Sequence, residues 1–378
     1  MKVSIIVTHL LGTGHLRRAM MLAKGFVDAG HRVQVISGGT PVDGIAVAGV
    51  ELIQLPPVKS NGTDFTTLLS ATGAPASKAY LADRQAQLLR AMDAEPDVVM
   101  TELYPFGRRV LAAEFDALLD AARAQRPKPL ILCSIRDILA PPSRPSKVER
   151  TGAVIARYYD GVLVHSDAQA TPLTASWPVS DALQGKLLYT GFVSAAAPGP
   201  HPQGTGTGEV LVSAGGGAVG APLFMAACAA AALTPSLTWR LLIGGQDPEP
   251  LVKKLHAIAP ANLIAEPARP DFRNMLNHAA CSVSMAGYNT AMDLLQTGVP
   301  ALLIPFDEGG EVEQSLRAKS LMHLPGFEVL TSAEVTPARL AEAVTRLAAL
   351  PRRSATEIAL NGAVETVRIT QSLREGSA

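Results

Sequence analysis

Short apolar runs alternate with amphipathic ones along the chain. Val3-Ser4-Ile5-Ile6-Val7 reads as a buried strand and Leu11-Gly12-Thr13-Gly14-His15 as a glycine turn. Leu16 to Ala29 reads as a helix with Leu16, Met20, Ala23 and Val27 on one face. Gly30 closes that helix and Val33 to Ser37 is the next strand, which completes a βαβ unit. The pattern continues with a helix over Lys78 to Ala94, in which Leu81, Leu88 and Leu89 face inward, and a strand over Asp97 to Glu102 that ends on its acid. A helix over Glu114 to Arg126 and strands over Leu130 to Ile135, Gly161 to His165 and Lys186 to Tyr189 follow. Pro56 to Leu69 reads as a polar loop and Ala140 to Pro145 as an open one. Strands that alternate with helices in this way predict a parallel α/β domain.

Ser194 to Gly208, rich in Ala, Pro, Gly and Thr, is the one clear shift of composition and reads as an interdomain linker. A second series begins with a strand over Glu209 to Ser213, a turn containing Gly215, Gly216 and Gly217, and an alanine-rich helix over Leu223 to Leu233. Strands over Trp239 to Ile243 and Asn262 to Ala265 flank a helix over Leu251 to Ile258, and Asp271 to Ala280 reads as a further helix. The stretch from Ser284 to Phe306 then reads as strand, glycine turn, helix and fully apolar strand. In such a unit ligands sit at the carboxyl ends of the strands, so Gly287, Tyr288, Asn289 and Thr290 face that space and Asp293 looks back toward it. Helices over Pro337 to Leu350 and Ser354 to Leu373 close the chain.

With 378 residues and 48% hydrophobic content, the chain exceeds one ordinary core and fits two helix-on-sheet domains. Its formal net charge of +0 argues against a general nucleic-acid surface. The three cysteines, Cys133, Cys228 and Cys281, lie far apart in apolar surroundings and build neither a disulfide framework nor a metal site. No Asp-x-Asp occurs, and acids and histidines do not cluster at metal-ligand spacing. A strand starts at once after Met1 and no apolar run reaches the roughly 18 residues of a spanning helix, so a cytoplasmic protein without a transmembrane segment is expected. Peripheral contact with the inner face of a membrane stays open, since the Lys59 loop and the Arg136 to Arg150 stretch supply part of a basic patch.

The first glycine turn lacks the third glycine of a dinucleotide fingerprint, with Arg17 in its place, and the second lacks the Lys-Ser/Thr of a P-loop. A glycine turn at a helix N-terminus still suits a diphosphate. His15, behind Gly12, Thr13 and Gly14 at a strand end, is the candidate general base. Its bland alternative is a hydrogen-bonded structural histidine. Glu102 is the candidate partner that orients it, or else a solvated strand-end carboxylate. Arg136 and Asp137, after another strand, are candidates for an ion pair on the acceptor side. Arg17 and Arg18 either meet phosphate or face solvent, and solvent is expected for at least one.

The run from Asp271 to Ala318 resembles the donor-binding half of the lipid-linked N-acetylglucosaminyltransferase of peptidoglycan synthesis, the MurG-like group of GT-B glycosyltransferases. The matching positions are Ser284, Ala286 and Gly287 in the turn, Asp293 where the family acid holds the ribose of a UDP-sugar, and Gln314 where a Gln touches the sugar. Asp293 is shorter than the family's usual Glu, and the loop from Asp307 to Val312 is one residue longer.

The N-terminal half is similar to a group of predicted bacterial glycosyltransferases, through Gly12 to Arg18, Gly62 to Leu68, Arg136-Asp137 and Tyr189-Thr190-Gly191. The resemblance implies a GT-B fold, two Rossmann-like parallel-sheet domains facing a cleft. It places an acceptor domain at 1–193, the linker at 194–208, a donor domain at 209–352, and a last helix in 353–378 that crosses back to the first domain. It implies an inverting, metal-independent glycosyltransferase without a cofactor, with a UDP-sugar as donor substrate and an unidentified acceptor. Two alternatives stay open. The Gly12 to Arg18 segment also resembles a UDP-sugar hydrolase of pseudaminic acid synthesis, and some split GT-B proteins keep a donor domain in one chain and an anchoring domain in another, which leaves a non-catalytic sugar-nucleotide-binding subunit of a complex as the second alternative.

Overall fold

The computed structural model describes the chain except residues 62–63, 93–94, 215–219, 246, 308–311, 355–357 and 377–378, and of residues 64–65 only the backbone. By its internal contacts the chain divides into two units, Met1–Ala195 with Ala359–Ala378, and Ala196–Ile358.

The first unit contains β1 (Lys2–Val7), α1 (Gly14–Asp28), β2 (Arg32–Ser37), β3 (Val50–Gln54), β4 (Lys59–Asn61), β5 (Asp64–Leu69), α2 (Lys78–Ala91), β6 (Val98–Glu102), α3 (Ala112–Ala124), β7 (Leu130–Arg136), α4 (Pro145–Tyr158), β8 (Gly161–His165), α5 (Asp181–Gln184) and β9 (Leu187–Tyr189). Seven strands form a parallel sheet in the order β3-β2-β1-β6-β7-β8-β9. The order reverses between β1 and β6, the place where an open α/β sheet splays its loops apart and admits a ligand.

Each strand of this sheet feeds two cores, because side chains alternate across it. Val3, Ile5 and Val7 of β1 and Val98 and Met100 of β6 join Leu16, Ala19 and Phe26 of α1 on one face. Ile6 and Val99 join Phe115, Leu118 and Trp177 on the other.

The second unit runs through β10 (Glu209–Ser213), α6 (Ala221–Leu233), β11 (Thr238–Ile243), α7 (Glu249–His256), β12 (Leu263–Pro267), α8 (Phe272–Met275), β13 (Cys281–Ser284), α9 (Tyr288–Thr297), β14 (Ala301–Leu303), α10 (Glu313–Leu321), β15 (Phe327–Val329) and α11 (Pro337–Ala348). Its six strands are all parallel in the order β12-β11-β10-β13-β14-β15, which reverses between β10 and β13. The last helix, α12 (Gly362–Glu375), packs on α1 and belongs to the first unit. The two parallel, helix-flanked sheets are the expected pair of Rossmann-like units.

Several local readings are corrected. Pro56 to Leu69 is not simply a loop, since β4 and β5 pair antiparallel within it; the runs are too short and polar to stand out as strands. A helix that the periodicity did not single out, α4, starts at Pro145, whose fixed φ suits a first helical turn. Asp271 to Ala280 holds only the four-residue helix α8. The last helix begins at Gly362 rather than Ser354.

The Ala/Pro/Gly-rich segment after Ala195 is not free coil. Asn277 Nδ2 donates to the carbonyls of Pro198 and Gly199 at 3.0 and 2.9 Å, and the buried His201 places Nε2 2.9 Å from Asp271.

Candidate functional site

Strand parity builds the site in the first unit. Val98 and Met100 point to the α1 face, so Glu102, two residues on, points there too at the carboxyl end of β6. His15 and Arg18, three apart on α1, reach the same point. His15 Nδ1 lies 2.7 Å from Glu102 Oε1, and Arg18 Nη2 donates to the same oxygen. Arg18 is 3% exposed and Glu102 1%, whereas 15% of the His15 side chain stays open. Arg17, by contrast, is exposed and donates to Thr13 Oγ1 at 3.2 Å.

An ionised carboxylate only accepts, so the hydrogen-bond network assigns the imidazole proton to Nδ1. Nε2 then carries the lone pair, and it has no hydrogen bond among the described residues. Burial pulls His15 down to about 4, against the pull of Glu102, so the imidazole is neutral near pH 7. Burial would raise Glu102, but His15, Arg18 and Arg108 outweigh it and hold the carboxyl well below its usual range. Arg18 is the partner whose charge persists while His15 is neutral. A neutral imidazole with one nitrogen fixed to a carboxylate and the other bare can accept a proton.

Strand parity also delivers Ser134 of β7 and His165 of β8 to this face. His165, fully buried, has Nε2 2.7 Å from Ser134 Oγ and Nδ1 2.9 Å from Thr190 Oγ1. Both its nitrogens are engaged, and burial lowers it to about 3, with Arg18 acting in the same sense. Sequence reasoning weighed Arg18 only against phosphate or solvent, not against Glu102, and it missed His165, for which the parity of β8 was the available signal.

The turn before His15 uses its glycines unequally. Gly12 is left-handed with φ +64°, whereas Gly14 borders open space that a β-carbon would enter unopposed. Thr13 is the N-cap residue of α1 and makes no side-chain cap. Arg136 donates from Nε to the Ile138 carbonyl at 3.0 Å, and Asp137 is fully buried.

In the second unit the candidates separate. Ser284 is buried at the end of β13 with its Oγ 2.6 Å from Ser282 Oγ, so its hydroxyl is taken inside the sheet. Gly287 is the N-cap of α9 and contributes no side-chain cap, and Asn289 is exposed in the first turn with Thr290 half-buried behind it. Tyr288 lies under the guanidinium of Arg317, 5.6 Å from the ring centroid. That buried arginine also donates to the Ala286 carbonyl at 2.9 Å and so holds the turn.

Gln314 Oε1 accepts from the Phe306 backbone N–H at 3.2 Å, just beyond β14. Asp293 does not stand alone, since Arg273 Nε of α8 donates to its Oδ1 at 2.5 Å and Arg273 Nη2 to Gln296 Oε1 at 2.8 Å. Burial raises the Asp293 carboxyl and Arg273 counters it. Gly215, Gly216 and Gly217 lie outside the described residues, as do Gly62 and Thr63.

Among the described residues no group of three His, Cys, Asp or Glu side chains could hold a metal ion. No helix among them is long and apolar enough to cross a membrane.

Residues 214–371 match the family model described as the glycosyltransferase family 28 C-terminal domain. The UDP-N-acetylglucosamine--N-acetylmuramyl-(pentapeptide) pyrophosphoryl-undecaprenol N-acetylglucosamine transferase of Rhodopseudomonas palustris (strain BisA53) is 28% identical over 221 residues. That match takes in 55% of this chain and 59% of the relative, less than two thirds of its length. Among solved structures, Acinetobacter baumannii MurG superposes with a TM-score of 0.62 at 18% identity, over 99% of this chain and 98% of that one. The glycosyltransferase VinC in complex with dTDP superposes with a TM-score of 0.66 at 15% identity over 100% of both chains. At such identities the superpositions speak for the fold.

Proposed function

We propose that this chain, a GT-B protein related to glycosyltransferase family 28, is an inverting glycosyltransferase that moves a sugar from a UDP-sugar to an acceptor hydroxyl. The observation that carries the reading is the His15–Glu102 pair, which leaves Nε2 bare at the strand ends where the sheet order reverses. In this reaction Nε2 takes the proton of the acceptor hydroxyl. The oxygen attacks the anomeric carbon opposite the diphosphate, the bond from that carbon to the diphosphate oxygen breaks, and the configuration inverts. Glu102 stabilises the imidazolium that forms, and Arg18 keeps Glu102 ionised throughout.

The second unit takes the donor in this reading. Gly287 to Thr290, at the N-terminus of α9, stabilise the leaving diphosphate, as helix N-termini do for anions. Asp293 accepts from the ribose hydroxyls after release from Arg273, and Gln314 lies toward the sugar. Gly215 to Gly217 complete the donor side, and Gly12 to Gly14 with Arg136 and Asp137 border the acceptor. With the leaving group held by backbone N–H groups, the reaction needs no divalent metal. The relative named for UDP-N-acetylglucosamine supports a uridine donor, while the dTDP complex of VinC makes the base worth testing.

The decisive experiment incubates the full chain with UDP-, dTDP- and GDP-sugars, with and without candidate acceptors, and follows nucleotide release and product mass. Acceptor-dependent release of UDP with a mass gain on the acceptor is expected. Rapid release without acceptor would make the protein a hydrolase that uses the same bare nitrogen on water. Binding without turnover of any donor would make it a sugar-nucleotide-binding subunit.

A further inference from the structure

Arg108 is a half-buried cation near His15 that this reaction leaves unused. It sits on the loop that leaves β6 after Glu102, and its backbone is left-handed with φ 59°, as is that of Leu103 with φ 66°. Residues with a β-carbon avoid that region, so two of them in one short loop mark a conformation that the surrounding structure imposes. Its effect is to lay the arginine against the end of β1, where Nε donates to the Thr8 carbonyl. The two terminal nitrogens have no hydrogen bond or ion pair with any described residue.

The charged and titratable groups around it can be named. Glu102, Arg136 and Arg18 act on Arg108; Glu102, Arg108 and Arg18 act on His15; Arg108 and Glu102 act on His9; Arg18 and Glu102 act on His165. Two guanidinium groups, those of Arg18 and Arg108, thus act on one carboxylate, whose Oε1 is already shared by His15 and Arg18. Excess positive charge in a largely buried setting is costly unless an anion completes it. The planar fork of arginine fits the paired oxygens of a phosphoryl or carboxylate group.

We propose that Arg108 anchors an oxyanion carried by the acceptor, a phosphoryl or carboxylate group, and that this anion brings the neighbouring His15 into its working state as a base. The second clause rests on the reading of His15 as the base; the first does not. An anion seated on Arg108 offsets the positive field that opposes protonation of His15, so the imidazole becomes a stronger base when the correct acceptor is bound. Neutral analogues that offer the same hydroxyl leave the field in place and react slowly.

The test uses the full chain with isotope-labelled histidine and follows the titration of the His15 ring by NMR, assigned by its loss in His15→Gln. Inorganic phosphate is the probe, with chloride at equal ionic strength as the control. Phosphate is expected to raise the His15 pKa by about one unit or more, as a nearby opposite charge does. Arg108→Asn should abolish the response, asparagine being tolerant of the left-handed backbone, and Arg17→Gln, at the exposed arginine of α1, should retain it. An equal response in Arg108→Asn, or none in the parent at saturating phosphate, overturns the proposal. The same response to UDP alone would give the anion to the donor and overturn its assignment to the acceptor. If His15→Ala turns over normally while the response still needs Arg108, the base reading fails and the anion site stands.

Discussion

His15 Nδ1 and Glu102 Oε1 meet at 2.7 Å although 87 positions separate the two residues. The meeting follows from two local periodicities. The pleat of β6 turns Glu102 to the α1 face, and the first turn of α1 presents His15 above it. If this pair runs the transfer, His15→Ala lowers kcat by roughly 10² to 10⁴ while UDP affinity stays nearly unchanged, because the proposed donor contacts lie in the other unit. Glu102→Gln costs less, since it removes orientation and charge but leaves the imidazole. Steady-state rates with calorimetric UDP binding check both, and normal turnover by His15→Ala would remove this residue from the mechanism.

The pH dependence has a definite sign. A base that is neutral above about 4 works on the alkaline side of that value, so kcat/KM of the free enzyme should hold level from pH 7 down to about pH 5 and fall below it. A fall that begins near pH 6.5 would show a His15 with the basicity of an exposed histidine.

Stability should follow the same two buried histidines. His15 and His165 sit at about 4 and about 3 in the folded chain, against 6.5 for a free histidine. Between those values the unfolded chain binds more protons than the folded one, so stability rises with pH up to about 6.5 and then levels. Acidification from pH 6.5 to 4 is therefore expected to lower Tm, with net proton uptake on unfolding. A Tm that stays flat across that window would contradict the neutral state of both rings.

Asp293→Ala is expected to weaken UDP binding about tenfold or more, since hydrogen bonds to a charged group contribute on the order of 1.5–3 kcal/mol. The ion pair with Arg273 provides the control, because Arg273→Met removes the competing partner without removing the carboxylate. Calorimetry should find UDP bound by Arg273→Met at least as tightly as by the parent. Equal affinity of Asp293→Ala and parent would mean that the aspartate serves Arg273 alone.

Turnover is expected to persist in excess chelator after dialysis. A loss restored by Mg²⁺ or Mn²⁺ would show that the leaving diphosphate is neutralised by a metal rather than by the α9 N-terminus.

Arg84 offers a prediction independent of function. It is fully buried, pairs with Glu114 through Nε and Nη2 at 2.7 and 3.1 Å, and donates to the carbonyls of Gly38 and Pro56 and to Thr8 Oγ1. Arg84→Met strands a buried carboxylate and should cost about 3–5 kcal/mol in denaturant unfolding. The double change Arg84→Met with Glu114→Leu should recover part of that loss.

The sequence by itself determined the layout that local rules control. Apolar runs such as Val3 to Val7 and Val210 to Val212 read as buried strands, and the glycine turn after the first opens at a strand end, so the two parallel sheets and the position of His15 were legible. The apparent loop at Pro56 to Leu69 and the helix α4 were not, because their short or polar runs carry little periodic signal and gain their structure from the sheet they pack on. Tertiary structure alone decided which charges meet. Arg17 and Arg18 are neighbours of the same type, yet one faces solvent and the other is buried on Glu102, because α1 turns about 100° per residue over the sheet. Likewise Asp293, readable as an acid near a turn, is claimed by Arg273 from a different helix. A partner fixed by the packing of two distant segments leaves no local pattern in the residues around either one, because its energy exists only once both segments are folded.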